Sequence, residues 1–202
     1  MKQLIFSVVA IALATACSHK SSNNIHPTGI GPVKIGMSIE ALPASVEGLY
    51  DEIVKIDVEA YFDEFEGENI PACDQYLFKK DGETVFSTEC PDGETVITFL
   101  DALSPKLSYD GVHPGMSCKK ALYTKAKFFA GGYPESCEFA CLWGFDTPSI
   151  QAWCTGSILS QSGIDYFRQM SEQELYNGQE PRKDFKAEYF DDEASISMIQ
   201  IR

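Results

Sequence analysis

The sequence predicts an α+β fold of two tandem units, each a short helical lead-in packed on an antiparallel β-sheet, over residues 29–103 and 104–202. Three observations predict it. The stretches GPVKIGMS, Gly31–Ser38, and DGVHPGMS, Asp110–Ser117, share Val-x-x-Gly-Met-Ser at a shift of 79 residues, which matches Val33 with Val112 and Gly36-Met37-Ser38 with Gly115-Met116-Ser117. Each copy is followed by helix-compatible sequence, IEALPASVEGLYDEI in the first half and CKKALYTKAKFF in the second. Each half then changes to strand-like alternation in a hairpin that carries cysteines near its ends. With 202 residues, 44% of them hydrophobic, the chain has the apolar material for a core of this size.

The elements follow in chain order. Residues 1–16 have one cation, Lys2, an apolar run from Leu4 to Leu13, and the small residues Ala14-Thr15-Ala16, the pattern of an export signal. The run is shorter than the roughly 20 residues a spanning helix needs. Residues 17–28, polar and rich in Ser and Asn, cannot bury apolar area and are expected as a flexible tether. Ser38 and Ser117 read as N-caps of the two lead-ins, because a hydroxyl accepts from the unpaired amides of a first turn and the preceding glycine lets the chain turn in. Met37 and Met116 then anchor those turns in the core.

In CDQYLFKKDGETVFSTEC, Asp81-Gly82 is a two-residue hairpin turn signal. It sets Lys80 opposite Glu83 and, seven steps outwards, Cys73 opposite Cys90, where a cross-strand disulfide is expected. Pro91-Asp92-Gly93 leads into a third strand, ETVITFLDAL, ended by Ser104-Pro105. In CEFACLWGFDTPSIQAWC a four-residue loop, Asp146–Ser149, pairs Phe145 with Ile150 and Cys141 with Cys154, the second expected disulfide. By elimination Cys118 and Cys137 are either a third disulfide or two thiols. Further on, Ser171 and Glu174 form a capping-box pattern for a short helix or an elaborated loop. FKAEYFDDEASISMIQIR reads as a last hairpin about residues 191–194; its final arm is apolar on both faces, as a central strand is.

A formal net charge of −14 repels polyphosphate backbones, so nucleic acid is excluded as a partner. No metal or cofactor is expected: Cys137 and Cys141 lack C-x-x-C spacing, the three histidines are scattered, and DEFEGEN, Asp63–Asn69, lacks the alternating oxygen ligands of a calcium loop. The alternative to a non-catalytic role is a periplasmic hydrolase using Asp110, His113 and Ser117, which lie within eight residues but without a GxSxG elbow. A capping serine and a turn histidine explain the same residues. What remains is protein binding or a structural role. Tyr61, Phe62, Phe65, Tyr76, Phe78, Trp143, Phe145 and Trp153 are more aromatics than the hairpins need, and Trp143 and Trp153, near the open ends of the second hairpin, are the two to test as partner contacts. An apolar patch rimmed by acid would mark the partner site.

Two resemblances extend this reading. The first 17 residues resemble a bacterial lipoprotein signal, which implies that Cys17 receives the lipid and becomes the mature N-terminus. Ala14-Thr15-Ala16 also reads as an ordinary cleavage site, and both readings cut before Cys17. Seven cysteines are an odd set, and giving Cys17 to lipid leaves six that can pair. Ser18 after the lipidated cysteine implies the outer membrane, with the protein on its periplasmic face. The repeated unit resembles the β-lactamase inhibitor protein group and the small outer-membrane assembly lipoproteins of the BamE type, which share a glycine, a methionine and a hydroxyl residue before a helical pair on an antiparallel sheet. That resemblance implies one hairpin disulfide per repeat, at Cys73–Cys90 and Cys141–Cys154. Together the expectations are an envelope lipoprotein held to the membrane by its N-terminal lipid and docking another envelope protein, with no catalysis.

Overall fold

The computed structural model describes residues 24–63, 67–133, 138–155, 158–170 and 181–202. The first half contains β1 (Ile25–His26), β2 (Gly29–Ile30), β3 (Val33–Lys34), β4 (Glu52–Val58), β5 (Tyr61–Asp63), β6 (Glu68–Ile70), β7 (Cys73–Lys80), β8 (Glu83–Pro91) and β9 (Leu100–Ala102). The second contains α1 (Cys118–Ala121), β10 (Lys127–Tyr133), β11 (Glu138–Gly144), β12 (Ile150–Thr155), α2 (Gln161–Arg168) and β13 (Ser195–Ile201). Among the described residues β1–β3 form a small sheet, β5 and β6 a two-stranded ribbon, and the rest one eight-stranded sheet in the order β10-β11-β12-β13-β9-β8-β7-β4.

The expected α+β class is therefore corrected: the protein is mostly β, and no helix-on-sheet unit is repeated. After Ser38 comes only a single 3-10 turn, Ile39–Ala41, and after Ser117 only the four residues of α1. Isolated turns of this length do not propagate as helices. Pairing to the sheet holds them instead. Gly36 N–H donates to Ile97 O (2.8 Å) and Ile97 N–H to Met37 O (2.9 Å); Gly115 N–H donates to Ile196 O (2.7 Å) and Ile196 N–H to Met116 O (2.8 Å). The serines do not cap: Ser38 Oγ lies 2.9 Å from Thr95 Oγ1, and neither serine side chain bonds the amides of its turn. The stretch after α1, read as helix from the sequence, becomes β10, whose Phe128 packs on Trp143 across the sheet.

The hexapeptide recurs because each copy does the same structural work. Gly36 and Gly115 sit at φ +85° and +79°, conformations that glycine adopts without strain. Met37 and Met116 pack against the core. The four-stranded runs β4-β7-β8-β9 and β10-β11-β12-β13 meet along β9 and β13, where Leu100 pairs with Ile201, Asp101 with Gln200 and Ala102 with Ile199. The lead-in bonds make Ile97 the counterpart of Ile196, a shift of 99 residues, and Asp101 faces Gln200 at that same shift, so a pseudo-twofold axis passes between them.

The first hairpin turns at Asp81-Gly82 with both residues at positive φ, as a type I′ turn requires. A bulge between Phe78 and Lys79 then shifts the ladder by one, so Cys73 stands opposite Pro91 and Cys90 opposite Asp74. Expected partners thus become residues on opposite faces of the sheet. The second hairpin keeps the expected register, with Leu142 opposite Trp153 and Gly144 opposite Gln151. The last hairpin is half present: its first arm is a 3-10 turn, Ala187–Tyr189, and its second is β13. A bulge against Trp153 and Cys154 turns Ile196 to the buried side with Ile199 and Ile201. One continuous core covers that face of the sheet, with Phe78, Phe86 and Tyr50 in contact in the first half and Phe128, Trp143, Phe185 and Phe190 in the second. Ser160 caps α2, accepting from Gly163 N–H at 3.3 Å. The capping box at Ser171 and Glu174 lies outside the described residues.

Candidate functional site

Among the described residues of the first half, the two most exposed large apolar side chains, Tyr61 and Phe62, are neighbours in the chain. β4 is an edge strand of the large sheet, bonded to β7 alone, and carries charge where an edge must discourage further pairing: Lys55 Nζ bridges Asp57 (2.9 Å) and Asp74 (3.0 Å). The Lys55 ammonium holds the Asp57 carboxyl below the usual carboxylate range. Past Val58 the chain leaves the sheet and folds on itself as the β5–β6 ribbon, with Tyr61 opposite Ile70, Phe62 opposite Asn69 and Asp63 opposite Glu68. Neighbouring residues of a strand point to opposite faces. Tyr61 and Phe62 therefore take opposite faces, yet they are 53% and 56% exposed, and Ile56 is 41% exposed. Asp57, Glu59 and Glu68 around them are exposed too. From Glu59 to Asn69 the sequence holds five acids and no Lys or Arg. This is an apolar ribbon rimmed by acid, a form suited to aromatic anchors entering a groove with a basic rim.

The residues singled out from the sequence are distributed differently. Trp143 is fully buried between Phe128 and Phe190, so it is withdrawn as a partner contact. Trp153 is half-buried on the face of the sheet away from the core, opposite Leu142 and Met198. Phe78, Tyr76 and Phe145 are also core. The signal that could have found the ribbon was its composition: aromatics among acids cannot lie in a core without burying charge.

Asp110 is exposed at φ +48° in the turn between Tyr109 and Val112. His113 Nδ1 donates to Pro114 O (2.8 Å), and Ser117 is held through its backbone, bridged to Ser195. Among the described residues no hydrogen bond joins the three. Cys17 and Cys137 lie outside the described residues, as does the Cys141 side chain. Cys73, Cys90, Cys118 and Cys154 carry no disulfide in the structure. Burial pushes the Cys73 and Cys90 thiols up. Among the described residues no three His, Cys, Asp or Glu side chains gather as metal ligands, and no helix is long and apolar enough to cross a membrane. A depression of about 490 Å³ beside β10 is lined by Tyr123, Phe128 and Phe185 with Lys127, Arg182, Lys183 and Lys186. Three of these cations are already engaged, Lys127 with Asp146 (2.8 Å), Arg182 with Ala130 O (3.2 Å) and Lys186 with Glu188 (3.6 Å).

No protein-family model matches this sequence, and no curated protein matches it. Among solved structures the chain is similar to the uncharacterized protein yfeY from Escherichia coli, with a TM-score of 0.47 and 13% sequence identity over 87% of this chain and 97% of that one.

Proposed function

We propose that this protein is an exported lipoprotein, anchored through Cys17 in the outer membrane on its periplasmic face, that binds another envelope protein through the β5–β6 ribbon and has no catalytic step of its own. The observation that carries the reading is the exposure of Tyr61 and Phe62 on a ribbon rimmed by Asp57, Glu59 and Glu68. Exposed large aromatics held on a backbone-paired ribbon are ordered before binding, which lowers the entropy lost on docking. The acidic rim favours a partner with a basic border and opposes anionic surfaces. The hydrolase alternative gains no support from the geometry, because His113 bonds the carbonyl of Pro114 and, among the described residues, no hydrogen bond joins it to Asp110 or Ser117.

Capture from detergent-solubilised envelope tests the proposal, with the full chain as bait and the N-terminal mass of the recovered bait read alongside. The expected result is acylation at Cys17 and a specific partner lost at least tenfold in Tyr61→Ala/Phe62→Ala while the fold survives. Equal capture by the double variant would remove the ribbon as the docking site, and an unacylated Cys17 would remove the anchor.

A further inference from the structure

Cys118 and Cys154 are 36 residues apart in the chain, yet their Sγ atoms are 3.2 Å apart in the core of the second half. Both side chains are buried, at 0% and 9% exposure. Backbone pairing, independent of sulfur, brings them together. Cys118 N–H donates to Ala194 O (2.9 Å) and Ser117 is bridged to Ser195, while on the neighbouring strand Cys154 pairs with Ile196. Three consecutive residues, 194–196, thus hold both cysteines.

The pseudo-twofold axis supplies an internal comparison. Ser87 pairs with Asp101 as Gln151 pairs with Gln200, which makes Cys90 the counterpart of Cys154, three residues further along its strand. The counterpart of Cys118 is Ile39, whose N–H donates to Thr95 O (2.8 Å). In the first half Cys90 Sγ lies 3.5 Å from the Val96 carbonyl, and the position equivalent to Cys118 is held by the buried Ile39; in the second half a thiol stands at that position. An apolar side chain fills this position in one half, so packing alone does not call for cysteine in the other.

We infer that Cys118 and Cys154 form a disulfide that staples the start of α1 to β12 across β13. Closing from 3.2 Å to a bond of about 2.05 Å brings the two sulfurs together by about 1 Å. The hydrogen bond from the Cys118 thiol lowers the Cys154 pKa against the upward push of burial, which favours Cys154 as the attacking thiolate. It attacks one sulfur of a small-molecule or protein disulfide oxidant and releases the first thiol. Cys118, deprotonated in turn, displaces the second from the mixed disulfide. The two cysteine protons end on the two released thiols, and the oxidant is reduced by two electrons. Burial in the folded chain means that the bond forms as the second half closes and is shielded from reductants afterwards. The inference replaces Cys141 as the partner of Cys154 and Cys137 as the partner of Cys118.

The test is peptide mapping, without reduction, of the full chain refolded in a glutathione redox buffer; the buffer supplies the oxidant, so the result does not depend on the export reading. Cleavage at Lys and Arg leaves Cys137, Cys141 and Cys154 on one fragment, since neither residue occurs between Lys127 and Arg168. A second cleavage after Glu138 and Asp146 separates them. The expected product joins the Cys118 fragment to the Cys154 fragment. A bond from Cys141 to Cys154, a bond from Cys118 to Cys137, or thiols at both 118 and 154 overturns the inference. Cys118→Ile, which installs the residue of the equivalent site, guards against misfolding: in this variant Cys154 is alkylated once the chain is unfolded, whereas in the parent it resists alkylation until reduced. Equal labelling of Cys154 in the two unfolded proteins is the second overturning result.

Discussion

Asp101 and Gln200 show how much a single residue can owe to its position. They face each other on the pseudo-twofold axis, where Gln200 Nε2 donates to Asp101 Oδ1 at 2.9 Å. Burial raises the Asp101 pKa above 3.8; the Gln200 hydrogen bond offsets part of the rise, the Glu89 charge adds to it, and Arg202 lowers it. A carboxyl with a raised folded pKa binds its proton more tightly in the folded chain than in the unfolded one. Its contribution to stability is complete below 3.8 and is lost as pH rises through the raised folded value. Asp101→Asn keeps the acceptor oxygen and removes the titration. Urea unfolding measured from pH 3 to 7 is expected to show a fall with rising pH in the parent that is smaller in the variant. An unchanged slope would place the titration elsewhere. Nothing in the sequence DALS marks Asp101 as this residue, because its burial comes from strands 14 residues before it and 99 after it, at Ser87 and Gln200.

At the scale of elements, α2 shows tertiary contact overriding intrinsic propensity. Glycine inside a helix is unfavourable by about 1 kcal/mol relative to alanine, so Gly163→Ala is stabilising on propensity alone. Gly163 faces the carbonyl of Tyr189, and a Cβ there would run into that backbone oxygen. Overpacking against a fixed atom typically costs about 1–3 kcal/mol. Gly163→Ala is therefore expected to lower the urea midpoint, and a raised midpoint would mean that the Tyr189 turn yields. The lead-ins fall short of helices for a related reason: Gly36 and Gly115 bond to residues that follow each hairpin, and local signals cannot report contacts that distant. Turn chemistry is different. Asp81-Gly82 and the loop at residues 146–149 were legible because their conformations depend on adjacent residues.

For the whole molecule, the decisive feature is the pairing of β9 with β13, which turns two four-stranded halves into one sheet with one core. Chains sharing a core unfold together. Amide exchange in rising urea is expected to give β7 and β12 the same protection against global unfolding, since β7 belongs to the first half and β12 to the second. Earlier loss of protection in either strand would separate the halves energetically.

The sequence by itself determined the local geometry: two glycines at positive φ before Met-Ser, the Asp81-Gly82 turn, the register of the second hairpin, and a last strand apolar on both faces, which lies at the centre of the sheet. Each depends on residues next to one another or on strict alternation. Tertiary structure decided the rest. Bulges at Val85 and Ser197 moved the Cys73–Cys90 register and the buried face of β13, and an unpaired residue in a ladder is set by strain and packing from both sides of the sheet. Which aromatics became core and which became surface, and which thiol came to face Cys154, followed from contacts between residues far apart in the chain; alternation places a side chain on a face, but only the packed fold determines what covers that face.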